Sequence, residues 1–115
     1  MDKLVFLIAI LSFFPDPVTP MLLRQLEYII AVDVERSFTR AANRCCITQP
    51  TLSQQIKSLE SHLDITIFNR ACTPIEPTHE GRLVLEQARQ IVGNAHQLIQ
   101  IARQLKTTRP HAGIV

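Results

Sequence analysis

Between Thr78 and Thr107 the chain contains no proline, and Val84, Ala88, Ile91, Ala95, Leu98, Ala102 and Leu105 follow one another at spacings of 4, 3, 4, 3, 4 and 3. That alternation keeps every apolar side chain on one stripe of an α-helix and makes a coiled-coil seam, with larger residues at one position and alanine at the other. Thr78 can cap the start, and Glu80 in the first turn suits the helix dipole. At the helical rise, residues 78–107 span about 45 Å. Such a stripe needs a second helix to cover it.

The rest of the 115-residue chain has room for one modest core and no more. It is 46% apolar and 19% charged, with only 3 glycines and 5% aromatic residues, a balance that favours helices over a sheet-rich sandwich. Residues 1–20 stand apart. They hold Lys3, an apolar run from Leu4 to Phe14, and prolines at 15, 17 and 20. The run is too short to cross a bilayer, and no small-x-small cleavage site follows it. We read residues 1–20 as an extension outside the domain; packing on the domain, export and anchoring are the other readings, and a membrane role is disfavoured.

From Met21 the helical spacing of Leu22, Leu23, Leu26, Ile29, Ile30 and Val34 predicts a first helix. "SFTRAANRCC" predicts a short second one, capped by Ser37, with Phe38, Ala41, Ala42 and Cys45 on its apolar side and Arg36, Arg40 and Arg44 recurring every fourth residue. Thr48 then caps a third helix with Pro50 in its first turn, where a missing N–H costs nothing. Its buried stripe is Leu52, Ile56, Leu59 and Leu63. Two short helices joined this tightly predict a helix-turn-helix. "ITIFNR" and "ACTPIEP" predict a small two-stranded wing. The expected fold is mainly α: a winged helix-turn-helix with a long C-terminal dimerisation helix.

The outer face of the third helix is unusual for a surface helix. It opens with Thr48, Gln49, Thr51, Ser53 and Gln54, and no acidic residue occurs from Ile47 to Ser58. Hydroxyls and amides suit base edges and phosphates in a DNA major groove, where carboxylates would be repelled. The overall charge, +2 from 12 basic and 10 acidic residues, decides nothing about nucleic acid. Its distribution is more telling: Arg36, Arg40, Arg44, Lys57 and Arg70 stand near the proposed face and suit backbone contacts. The same polar first turn would also serve a packing module that merely caps its helix.

The stretch "LRQLEYIIAVDVERSFTRAANRCCITQPTLSQQIKSLESHLDITIFNR", followed by "PTHEG" and a long helix, resembles the N-terminal domain of LysR-type transcriptional regulators. The resemblance implies a winged helix-turn-helix that dimerises through its last helix, binds double-stranded promoter DNA and precedes an effector domain. Carried onto this sequence, it assigns Thr48, Gln49, Pro50, Thr51, Ser53 and Gln54 to base recognition and Lys57 to a phosphate. Thr39 and Arg40 become second-helix contacts, and Arg70 the arginine of the wing. It also implies a division into residues 21–77 for DNA binding, 78–107 for the dimerising linker helix and 108–115 for the start of an effector domain. Three positions depart from the family pattern: Asp64 stands where glycine is usual, Cys45 where leucine is usual, and the wing carries Glu76 in place of basic residues.

Other chemistries lack a sequence basis. There is no Gly-rich phosphate loop and no HExxH, so the chain is not read as an enzyme, and no cofactor is expected. His62, His79, His96 and His111 are scattered, which argues against a metal site. Cys45, Cys46 and Cys72 are odd in number and without CxxC spacing, as expected of reduced thiols in a cytoplasmic protein. A redox role for Cys72 would require an exposed thiol of lowered pKa. The competing functional reading is an interaction module that dimerises through Val84 to Leu105 and titrates full-length regulators.

Overall fold

Hydroxyl caps open three of the four helices found between residues 21 and 108 in a computed structural model, which describes residues 3–4 and 21–108. The expected extension, residues 1–20, lies outside the described residues apart from Lys3 and Leu4, as do residues 109–115 of the expected tail. The first helix, α1, is Leu22–Glu35; α2 is Phe38–Arg44, α3 is Gln49–Leu63 and α4 is His79–Thr108. Ser37 Oγ accepts the Arg40 N–H at 3.2 Å, Thr48 Oγ1 accepts the Thr51 N–H at 3.3 Å, and Thr78 Oγ1 accepts the Gly81 N–H at 2.9 Å. Each cap satisfies a donor that the first helical turn would otherwise leave open.

Strands β1, Phe68–Asn69, and β2, Glu76–Pro77, pair antiparallel with Phe68 opposite Pro77 and Asn69 opposite Glu76. They form the expected wing. Its tip is tied back to the helices where the Ile75 N–H donates to the Arg36 carbonyl at 3.2 Å.

The core lies where α1, α3 and the first turns of α4 meet. Ile29, Val32, Leu52, Ile56, Leu59 and Phe68 are its largest fully buried members apart from Ile67 and Leu85. Ala41 and Ala42 are buried between α2 and its neighbours, their small size permitting close approach. Two expectations need correction. Leu63, expected in the buried stripe of α3, is exposed. Leu23 and Val34 of α1 are exposed as well, and Ala31 and Val32 take its inward positions, because its buried face is turned toward both α3 and α4. Arg36 does not belong to α2 but is the C-cap of α1, in the left-handed region at φ 55°.

The turn that joins α2 to α3 contains no glycine. Cys46 supplies its left-handed residue at φ 58°, and Asp64 does the same at the end of α3 with φ 55°. A side chain in that region costs about 1–2 kcal/mol relative to glycine, and Asp is among the residues that tolerate it best.

Candidate nucleic-acid and dimer interface

The start of α3 presents its polar residues outward. Thr48, Gln49, Pro50, Thr51, Gln54 and Lys57 are exposed, whereas Ser53 is half-buried. With Leu52, Ile56 and Leu59 turned into the core, the 100° step of a helix sets Pro50, Gln54 and Lys57 on the opposite line. The Thr48 hydroxyl also donates to Thr51 Oγ1 at 2.8 Å, which holds two hydroxyls together at the helix entrance.

Behind this face, Gln25 is the only buried polar side chain of the core among the described residues. Its amide donates to Gln55 Oε1 at 3.2 Å and to the Gln55 carbonyl at 3.4 Å, so α1 grips the back of α3. Sequence reasoning missed Gln25, although a polar residue within the apolar register of Leu22, Leu26 and Ile29 was the signal available.

Most of the basic residues expected around the face are already paired. Arg40 and Arg44 both reach the Glu35 carboxylate, at 3.5 and 2.8 Å, and Arg40 also donates to the Glu35 carbonyl at 2.6 Å. Arg36 binds Asp33 at 3.2 Å, and Arg89 of α4 binds the same carboxylate. Among the described residues, Lys57 is the one basic group of the proposed contact set without an ion pair. Thr39 and Arg40 are exposed on α2, as a contact role requires.

Arg70 is held differently. Its Nη1 donates to Glu60 Oε1 at 3.1 Å, and its guanidinium lies 5.0 Å from the centroid of the Phe38 ring. The other oxygen of Glu60 accepts the N–H groups of Ile67 at 2.7 Å and Phe68 at 3.4 Å. One carboxylate thus joins the end of α3 to the wing. Nothing in the spacing of the sequence marks Glu60 for this role.

The long helix divides into two parts. Ala88, expected in the seam, is 1% exposed and sits in the core of its own chain together with Leu85. Val84 and Val92 pack against that core. Ala88 therefore faces its own protomer's core and not a second helix, because α1 covers this part of α4. Ile91, Leu98, Ala102 and Leu105 are exposed and Ala95 is half-buried. Leu98 at 68% exposure and Leu105 at 61% carry apolar surface that no other described residue covers.

A groove of about 410 Å³ runs between α1, α2 and α4, lined by residues that include Arg24, Glu27, Tyr28, Cys45 and His96. Burial, followed by the nearby Glu27 charge, raises the pKa of the Cys45 thiol above its ordinary value. The described residues contain no cluster of three or more His, Cys, Asp or Glu able to hold a metal ion, and no helix among them is long and apolar enough to cross a membrane.

Residues 23–82 match the family described as bacterial regulatory helix-turn-helix protein, lysR family. Among curated proteins, the chain is 39% identical over 85 residues to the HTH-type transcriptional regulator BenM of Acinetobacter baylyi, a match covering 74% of this chain and 28% of BenM. It is 36% identical over 98 residues to the DNA-binding transcriptional dual regulator OxyR of Escherichia coli, covering 83% of this chain and 32% of OxyR. The chain thus spans about a third or less of the length of these relatives. The solved structure of BenM_DBD in complex with benA site 1 DNA superposes with a TM-score of 0.71 at 37% identity, covering 76% of this chain and 98% of that one.

Proposed function

Because the chain belongs to the lysR family of bacterial regulatory helix-turn-helix proteins, we propose that residues 21–77 bind double-stranded promoter DNA sequence-specifically and that α4 joins two copies into a dimer. The observation that carries this reading is the uncharged, exposed start of α3. In a major groove, the amides of Gln49 and Gln54 can each donate to and accept from an adenine edge, while Thr51 and Ser53 offer hydroxyls to bases or phosphates. Pro50 gives apolar contact without a charge to desolvate. Lys57, without an ion pair among the described residues, supplies a phosphate contact one turn further on, and Thr39, Arg40 and Arg70 flank it. The likeness to BenM_DBD, solved in complex with benA site 1 DNA, supports DNA binding by this domain.

Regulation of transcription follows from such a domain when it is placed at a promoter in the cytoplasm, and two copies are needed for two half-sites to act together. The exposed stripe of Ile91, Ala95, Leu98, Ala102 and Leu105 is the surface we assign to that pairing. A gel shift with genomic fragments in the presence of excess competitor tests the proposal, since a sequence-specific protein retains a subset of fragments. On a retained fragment, Gln49→Ala should weaken binding by about 1–3 kcal/mol while leaving competitor binding nearly unchanged. Equal loss on both kinds of DNA would show that Gln49 reads no base. A module that only titrates other regulators would retain no fragment at all.

A further inference from the structure

We propose that Glu60 and Phe38 are positioning residues that hold the Arg70 guanidinium on the wing side of α3, so that its open edge meets a DNA phosphate. The proposal rests on the DNA-binding reading given above. A guanidinium carries five N–H donors in one plane. Its Cζ lies over the Phe38 ring, and the Glu60 carboxylate takes one edge through Nη1. The Arg70 side chain nevertheless remains 33% exposed.

Both supports are themselves fixed. Phe38 stands edge-on to the buried Phe68, with centroids 6.2 Å apart and planes at 81°. Glu60 is held by the backbone N–H groups of Ile67 and Phe68. By contrast, Arg40 and Arg44 share a single carboxylate on α1 and lean on no aromatic ring in the described structure. An arginine immobilised before binding loses less freedom on meeting a phosphate, and its planar fork is aimed in advance.

The sign of one mutation separates positioning from plain charge. Glu60→Gln removes a negative charge near the proposed DNA face, and by electrostatics alone binding should tighten. If the carboxylate positions Arg70, binding should weaken despite that gain. The glutamine carbonyl still accepts the N–H groups of Ile67 and Phe68, so the wing keeps its anchor.

The test is binding of the full chain to mixed-sequence duplex DNA fragments over a series of salt concentrations. Arg70→Gln should lower the slope of log affinity against log salt by about 1. Glu60→Gln should weaken binding about fivefold, the scale of one poorly placed charged contact. In the Arg70→Gln background the same change should no longer weaken it. Phe38→Leu, which keeps the carboxylate and an apolar filler but removes the ring, should weaken binding in the same direction and carries the test if Glu60→Gln does not fold. Glu60→Gln or Phe38→Leu chains that fold and bind as tightly as the unaltered chain, or more tightly, overturn the proposal. Absence of salt-dependent binding by the unaltered chain would instead sink the DNA-binding reading, and the proposal with it.

Discussion

A Cβ on residue 81 would stand 2.0 Å from the carbonyl oxygen of Ile67. Gly81 therefore lets α4 press its first turn against the chain entering the wing, where the Thr78 N–H donates to that same carbonyl at 2.9 Å. In an open helix, glycine to alanine stabilises by about 1 kcal/mol. Here the backbone has nowhere to yield, so Gly81→Ala should cost about 1–3 kcal/mol by overpacking, a reversal of sign that urea unfolding would detect. A variant more stable than the parent would mean that the two segments are not in contact. The cysteines make a second contrast at this scale. Cys46 is exposed in the turn before α3, whereas Cys45 is half-buried beside the groove and burial raises its pKa. Since the thiolate is the reactive form, a thiol reagent at neutral pH should label Cys46 first, and labelling of Cys45 should become appreciable only as the pH rises. Mass spectrometry of the labelled peptides would report the order; faster reaction at Cys45 would contradict it.

At the scale of elements, what could be read in advance was what depends on neighbours in sequence. The caps Ser37, Thr48 and Thr78, the tolerated Pro50, the paired Ala41 and Ala42 and the short wing all follow from local chemistry, and the structure contains each of them. The features not foreseen depend on which elements meet. The grip of Gln25 on Gln55, the bond from Glu60 to the wing and the left-handed turn at Cys46 join segments that no periodicity relates. At Ala88 the heptad series of α4 misled for the same reason. A stripe of apolar residues shows that a surface is covered, not what covers it, and here α1 covers Ala88 from within the chain. Ala88→Leu should therefore destabilise the folded protomer by about 1–3 kcal/mol through overpacking. If Ala88 lay in a seam between two copies, the same change would alter association and leave the unfolding of a dilute monomer unchanged.

At the scale of the whole molecule, the radius of gyration is 18.1 Å, against about 13 Å for a compact domain of similar length. The excess comes from α4, whose later turns run past the core that buries Leu85 and Ala88. Those turns expose Leu98, Ile99, Ile101 and Leu105, more apolar surface than an isolated helix in water would carry without a partner. In the proposed dimer a second copy would cover it, and a two-fold axis would also set two α3 helices at a fixed separation for two half-sites. Ala95 and Ala102 let paired helices approach closely but bury little area, so the large side chains must supply most of the association energy, at roughly 1.5–3 kcal/mol for each one fully buried. Leu98 is central in the exposed stripe and the most exposed of its large side chains at 68%. Leu98→Glu would place like charges across the two-fold interface, far from the core residues that hold the helix-turn-helix together. The expected product is a monomer with an unchanged melting profile for its domain and much weaker binding to a two-half-site fragment, because the half-site contacts no longer act in concert. Analytical ultracentrifugation decides the matter: if Leu98→Glu still sediments as a dimer, the two copies meet through a surface other than this stripe.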